Sequence, residues 1–218
     1  MKTARIISLL FALCLLCACG QSESPKSADK DSAYASVNGE IVTAAEINYF
    51  KSKYRADIIN EYAEKYAVTD FSDFWDRDFD GKTPSQELEK RALDEAVSAK
   101  IKLVMMRENG IYEDVSFNAL LEKANKFNAE NGNASGVIGI KTVDIDSFYT
   151  YYILTGEMEL KNILAEGVLK PTVDELAAAA ERSPDSSENQ LISLLVSEKY
   201  NRLIADMTKT ADVSLLLR

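Results

Sequence analysis

From Ile47 onward, apolar residues return at helical spacing. Ile47, Phe50, Tyr54, Ile58, Tyr62 and Tyr66 line one side of a segment that Thr43 opens and Ala67 closes. Thr43 with Glu46 three residues on has the form of a capping box, so the first helix is expected from Thr43 to about Ala67. A second stripe, Leu88, Ala92, Leu93, Ala96, Val97, Ile101, Val104 and Met105, stops at Asn109-Gly110, a pair suited to a helix C-terminus. Phe117, Leu120, Leu121, Ala124 and Phe127 mark a third helix, ending in "ENGNASG". Asp144 caps a long fourth segment, "IDSFYTYYILTGEMELKNILAEGVL", in which Gly156 is expected to introduce a bend and which Pro171 ends. Thr172 with Glu175 is a second capping box, opening a short alanine-rich helix to about Arg182. "SPDSSEN" reads as a loop, and a last helix runs from Gln190 to about Lys209 on Leu191, Leu194, Leu195, Leu203, Ile204 and Met207.

Strand signals are confined to the two ends. Tyr34 to Val37 is a short strand followed by an Asn38-Gly39 turn, and "ADVSLLL" reads as a closing strand. The pattern predicts a mainly α domain over residues 34–218, with a small two-stranded ribbon joining its N- and C-terminal ends. No internal repeat is present.

The first nineteen residues change the picture from fold to compartment. Lys2 and Arg5 precede an apolar run from Ile6 to Leu16, too short for a permanent membrane span and suited to an export signal. The run ends in "LCAC", which resembles the lipobox of bacterial lipoproteins, with Cys17 standing where Ala, Ser or Thr is usual. The resemblance implies a signal peptide over 1–18 and a diacylglyceryl group, with further palmitate-type acylation, on Cys19. An ordinary secretory signal cut near Ala18 would leave Cys19 as a thiol. The lipoprotein reading accounts better for residues 19–33, where "SESPKSADKDSA" makes a polar, flexible tether. Two acyl chains anchor stably where one does not, at about 0.8 kcal/mol per buried CH₂. The expected location is therefore the extracytoplasmic face of a cell membrane.

Charge and composition then exclude several chemistries. The chain carries a net charge of −10, which loss of Lys2 and Arg5 takes to about −12, so nucleic acid is an unsuitable partner. Of three cysteines, Cys14 and Cys17 leave with the signal, and Cys19 alone can form no internal disulfide. There is no histidine, hence no Ser-His-Asp or Cys-His nucleophile and no imidazole acid or base. No catalytic residues are assigned.

One stretch invites a metal. In "WDRDFDGKTPSQE", Asp76, Asp78, Asp80, Gly81 and Glu87 fall on the D-x-D-x-D-G-x5-E spacing of a calcium loop. The same residues also compose a capped turn: Asp80-Gly81 turns, Thr83 is an N-cap, Pro84 sits at N1 and Gln86 completes a capping box. Thr83 stands where a calcium loop carries its linking aliphatic, Pro84 follows it, and no second loop is read in the sequence to pair with it. The capped turn is the preferred reading, with no cofactor required and calcium its alternative.

Three segments together resemble the SurA/PrsA-type exported foldases. "VNGEIVTAAEI" is similar to that family's entry motif, "LEKRALDEAVSAKIKLVMMRENGIYEDVSFNALL" to its second signature, and "KYNRLIADMTKTADVSLL" to its closing helix and strand. "LKPTVDELAAAAERSPD" is similar to the short helix that precedes the parvulin isomerase module. Full members carry about ninety residues there; here only "SPDSSENQ" intervenes, and the paired histidines of parvulins are missing. The resemblance implies a SurA N-terminal-like chaperone domain without prolyl isomerase activity, binding unfolded or partly folded exported polypeptides. A structural or interaction lipoprotein holding one dedicated envelope partner is the alternative.

Such binding needs accessible apolar side chains. Two aromatic clusters supply candidate client contacts: Phe71, Phe74 and Trp75, and Phe148, Tyr149, Tyr151 and Tyr152. Phe148 and Tyr152, one turn apart, suit the core; Tyr151 points away from them and suits an exposed contact. Phe71, Phe74 and Trp75 are open between packing and contact.

Overall fold

A computed structural model describes residues 32–132 and 142–216. The expected signal peptide, Cys19 and most of the tether lie outside the described residues.

Asn38 and Gly39 both take positive φ, 51° and 88°, as a two-residue hairpin turn of the I′ kind requires. The chain therefore doubles back: β1 (Ala33–Val37) pairs antiparallel with β2 (Glu40–Thr43), with Val37 opposite Glu40. β3 (Val213–Leu215) lies along the other side of β1, so the sheet order is β2-β1-β3. The ribbon expected from the two chain ends is in fact a three-stranded sheet. The extra strand is Glu40–Thr43, whose β-branched Ile41, Val42 and Thr43 favour an extended chain before the helix starts. Asn38 secures the closure, since its N–H donates to the Asp212 carbonyl at 2.8 Å and its Oδ1 accepts from Asp212 N–H at 2.8 Å.

Among the described residues, six α-helices follow the hairpin: α1 (Ala44–Tyr66), α2 (Pro84–Glu108), α3 (Phe117–Gly132), α4 (Ile145–Ala165), α5 (Val173–Arg182) and α6 (Glu188–Thr210). α1 and α2 form an antiparallel pair, since Glu46, Tyr54 and Glu61 meet Lys100, Glu95 and Arg91 in reverse order. α2 is the spine, touching α1, α4, α6 and the sheet. Its buried Ala92, Ala96 and Ala99 keep it thin where neighbours cross.

Gly156 allows a similar close approach from α4. A Cβ there would sit 2.5 Å from Met106 Sδ and 2.8 Å from Tyr112 Cε2. The glycine expected to bend the fourth helix lies inside one continuous helical span and serves to bring α4 against the end of α2. α5 packs on α6 through a separate small cluster of Leu176, Ala179, Leu191 and Leu195.

The caps explain where helices begin. Thr83 with Gln86, and Thr172 with Glu175, make both bonds of their capping boxes. Ser187 with Gln190 makes a third, which starts α6 at Glu188, two residues before the expected Gln190. At α1 only half the expected box forms. Thr43 Oγ1 accepts from Glu46 N–H at 3.2 Å, and this is the one bond of the box that the helix start makes. The carboxylate is drawn inward instead, to 3.1 Å from Lys100 Nζ, with the side chains 0% and 2% exposed.

Candidate functional site

A groove opens between the α1/α2 pair and α4. Its mouth, about 540 Å³, is bounded by Tyr49 and Lys53 of α1 and by Asp146, Thr150, Tyr151 and Leu154 of α4. It continues inward over Phe50, Ala99, Tyr149 and Ile153 into a further space of about 170 Å³. The floor is aromatic: Tyr49 lies 4.7 Å from Tyr149 and 4.9 Å from Phe50, ring centre to ring centre. Charged pairs form the rim, Lys53 with Glu95 at 3.5 Å and Lys102 with Glu157 at 2.6 Å. Tyr54 donates to Glu95 at 3.0 Å, and burial together with the Glu95 charge pushes its phenol up to about 12.

The buried Glu46–Lys100 pair lies near enough to Tyr149 for its carboxylate to act on that phenol. Burial raises the Glu46 carboxyl above the ordinary range, opposed by the Lys100 charge and the nearby Thr43 amide. Burial also raises the Tyr149 phenol, helped by the Glu46 charge, and the Tyr149 hydroxyl has no hydrogen-bond partner.

Helical periodicity sorts the "FYTYY" cluster. Phe148, Tyr149 and Tyr152 turn into the core, and Tyr152 stacks on Tyr112 at 4.0 Å. Tyr151 faces solvent, 65% exposed. Two residues that sequence reasoning passed over continue from it, Leu154 (54% exposed) and Met158 (69% exposed), at the i+3 and i+7 positions. Their signal was available, because α4 carries more apolar residues than its core face of Phe148, Tyr149, Tyr152, Gly156 and Leu160 can bury.

The other cluster lies at the far end of the α1/α2 pair. Phe74, in a 3₁₀ turn over Phe74–Asp76, is 2% exposed and packs among Tyr62, Phe71, Trp75 and Phe79. Trp75 is half-buried under the Arg55 guanidinium, 4.3 Å from the ring centre, and Phe71 is 49% exposed. Phe74, Phe148 and Tyr152 are thus core residues that do not line the groove, which corrects their assignment as client contacts, whereas Tyr149, though buried, forms part of the groove floor. Tyr151 borders the groove, whereas Phe71 and Trp75 do not.

The acidic loop forms a tight turn. Phe79 and Lys82 bridge across Asp80 and Gly81, which both take positive φ, 58° and 85°. Asp78 accepts from Gly81 N–H at 2.8 Å, and Tyr66 donates to Asp80 at 2.9 Å. Glu87 accepts from Arg91 at 2.8 Å and pairs with Lys82, while Asp76 is exposed. The carboxylates of the calcium pattern are thus turned to separate protein partners or to solvent. Among the described residues, no group of three or more Asp, Glu, His or Cys side chains gathers to hold a metal ion. Nor, among those residues, is any helix long and apolar enough to cross a membrane.

No protein-family model, curated protein or solved structure matches this chain.

Proposed function

We propose that this chain is a lipid-anchored, extracytoplasmic holding protein of the SurA/PrsA type, without prolyl isomerase activity. It binds apolar segments of unfolded or partly folded exported polypeptides. The observation that carries the reading is the groove with its exposed neighbours Tyr151, Leu154 and Met158. Covering such side chains yields about 25 cal/mol per Å² whatever the client's sequence. The connection between α5 and α6 is in keeping with it: only five residues, Ser183–Ser187, join the two helices between which the resemblance implies an isomerase module would lie. Anchoring through Cys19 would hold the groove near newly exported chains.

The charged rim of Lys53–Glu95 and Lys102–Glu157 favours a second reading, a scaffold for one dedicated partner. Aggregation assays separate the two. The protein is expected to slow aggregation of several unrelated unfolded clients at near-stoichiometric ratio, without accelerating a proline-limited refolding phase. The triple change Tyr151→Ser, Leu154→Ser, Met158→Ser is expected to abolish that effect. Activity toward none of the clients, or catalysed isomerisation that survives rigorous purification, sinks the proposal.

A further inference from the structure

We infer that the segment held in the α1/α4 groove is an apolar stretch flanked by Lys or Arg, a cationic rather than an indifferent client. The inference rests on the polypeptide-holding reading and narrows its substrate class. At the mouth, both rim lysines are already engaged, Lys53 by Glu95 and Lys102 by Glu157. Asp146, which lines the mouth together with Lys53, is exposed and forms no ion pair within 4 Å among the described residues, Lys53 being paired with Glu95. Asp144, at the α4 N-cap, adds a second carboxylate there, its oxygens accepting from Ser147. Tyr49, on the floor, feels the result: burial is the main cause of its raised phenol, and Asp146, Glu95 and Asp144 all add to it. The free valence of the groove mouth is therefore negative, and it sits beside the apolar stripe. The chain as a whole, at −10, adds to the field.

Other occupants fit less well. Three partly exposed side chains make a patch well short of the ~800 Å² per partner that a stable interface buries. Two copies carrying −10 each would also repel. An anionic membrane surface is disfavoured by the same charge. A segment with apolar residues over Tyr151, Leu154 and Met158 and a cation at Asp146 satisfies both features. From Asp146 to Met158 is twelve helical steps, about 18 Å, which five or six extended residues would span.

The test uses the full chain in neutral phosphatidylcholine nanodiscs. Three fluorescent peptides share one apolar core and carry Lys, Ser or Asp at both ends. The Lys-flanked peptide should bind roughly five- to tenfold more tightly than the Asp-flanked one at low salt. At about 1 M salt, where the Debye length is about 3 Å, the ratio should approach one. Asp146→Asn should narrow it to about twofold, and Tyr151→Ser should weaken all three peptides together. Equal affinities at low salt, or preference for the Asp-flanked peptide, overturn the charge inference and leave the holding reading standing. No binding of any peptide overturns both. Sedimentation showing a dimer that Tyr151→Ser dissolves would assign the face to a second copy. Capture on anionic vesicles that the same change abolishes would assign it to the membrane. Either outcome overturns the inference.

Discussion

The aromatic corner around Phe74 and the aromatic run on α4 start from similar composition and end in opposite states. At the corner the rings close on one another: Tyr62, Tyr66 and Phe79 lie 4.9 to 5.6 Å apart, centre to centre. Cations cover what remains, with Arg55 4.3 Å from the Trp75 ring centre, Lys65 4.7 Å from Tyr66 and Arg77 5.7 Å from Phe79. On α4 the rings cannot all close on one another, because each successive residue turns about 100° around a fixed axis; only Phe148 and Tyr152, one turn apart, stack, at 6.2 Å. Phe148, Tyr149 and Tyr152 go inward, and Tyr151 is left out with Leu154 and Met158. A turn can fold over its own aromatics. A helix with apolar residues on two faces leaves one of them exposed unless another element covers it.

This contrast predicts where substitutions cost stability and where they cost binding. Phe74→Ala removes the ring around which Tyr62, Phe71, Trp75 and Phe79 pack, and should lower unfolding free energy by about 3–5 kcal/mol in urea denaturation. A loss under about 1 kcal/mol would mean that the corner is not a packed unit.

Lys100→Met tests the buried ion pair at comparable cost, because it leaves the Glu46 carboxylate buried without its cation. A loss of about 3–5 kcal/mol at neutral pH is expected. The sign of its pH dependence follows from burial, which raises the folded carboxyl above its unfolded value. Glu46 then favours folding below the unfolded carboxyl range, and that contribution is lost as pH rises through the raised folded value. The Lys100→Met variant should therefore regain stability relative to wild type when acidified from pH 7 towards pH 5. Thermal melts showing the opposite trend would contradict the buried-pair assignment.

The smallest stability effect is expected at Tyr151. Tyr151→Ser should change unfolding free energy by no more than about 0.5 kcal/mol, as surface substitutions do, while weakening client holding. A larger loss of stability would place Tyr151 with the core aromatics and erase the contrast between the two regions.

Helix limits and several caps were legible in the sequence because they depend on neighbours three or four residues apart. Thr83 with Gln86, Thr172 with Glu175 and the Asn109-Gly110 stop each act within one turn, so residue order was enough to determine them. The outward direction of Tyr151 likewise follows from its offset to Phe148 and Tyr152. Tertiary structure decided what local order left open. Glu46 has the right spacing for a reciprocal cap, yet Lys100, fifty-four positions away, competes for its carboxylate in the interior. β2 became a strand because β1 was there to pair with it, and Gly156 became a contact point because Met106 and Tyr112 arrive at its Cα. Leu154 and Met158 were visible as apolar residues, but their exposure depended on α1, α2, α3 and α6 leaving that face of α4 uncovered. Hydrogen bonds across a single turn are specified by adjacent residues, whereas burial is a property of whatever surface the rest of the chain brings up.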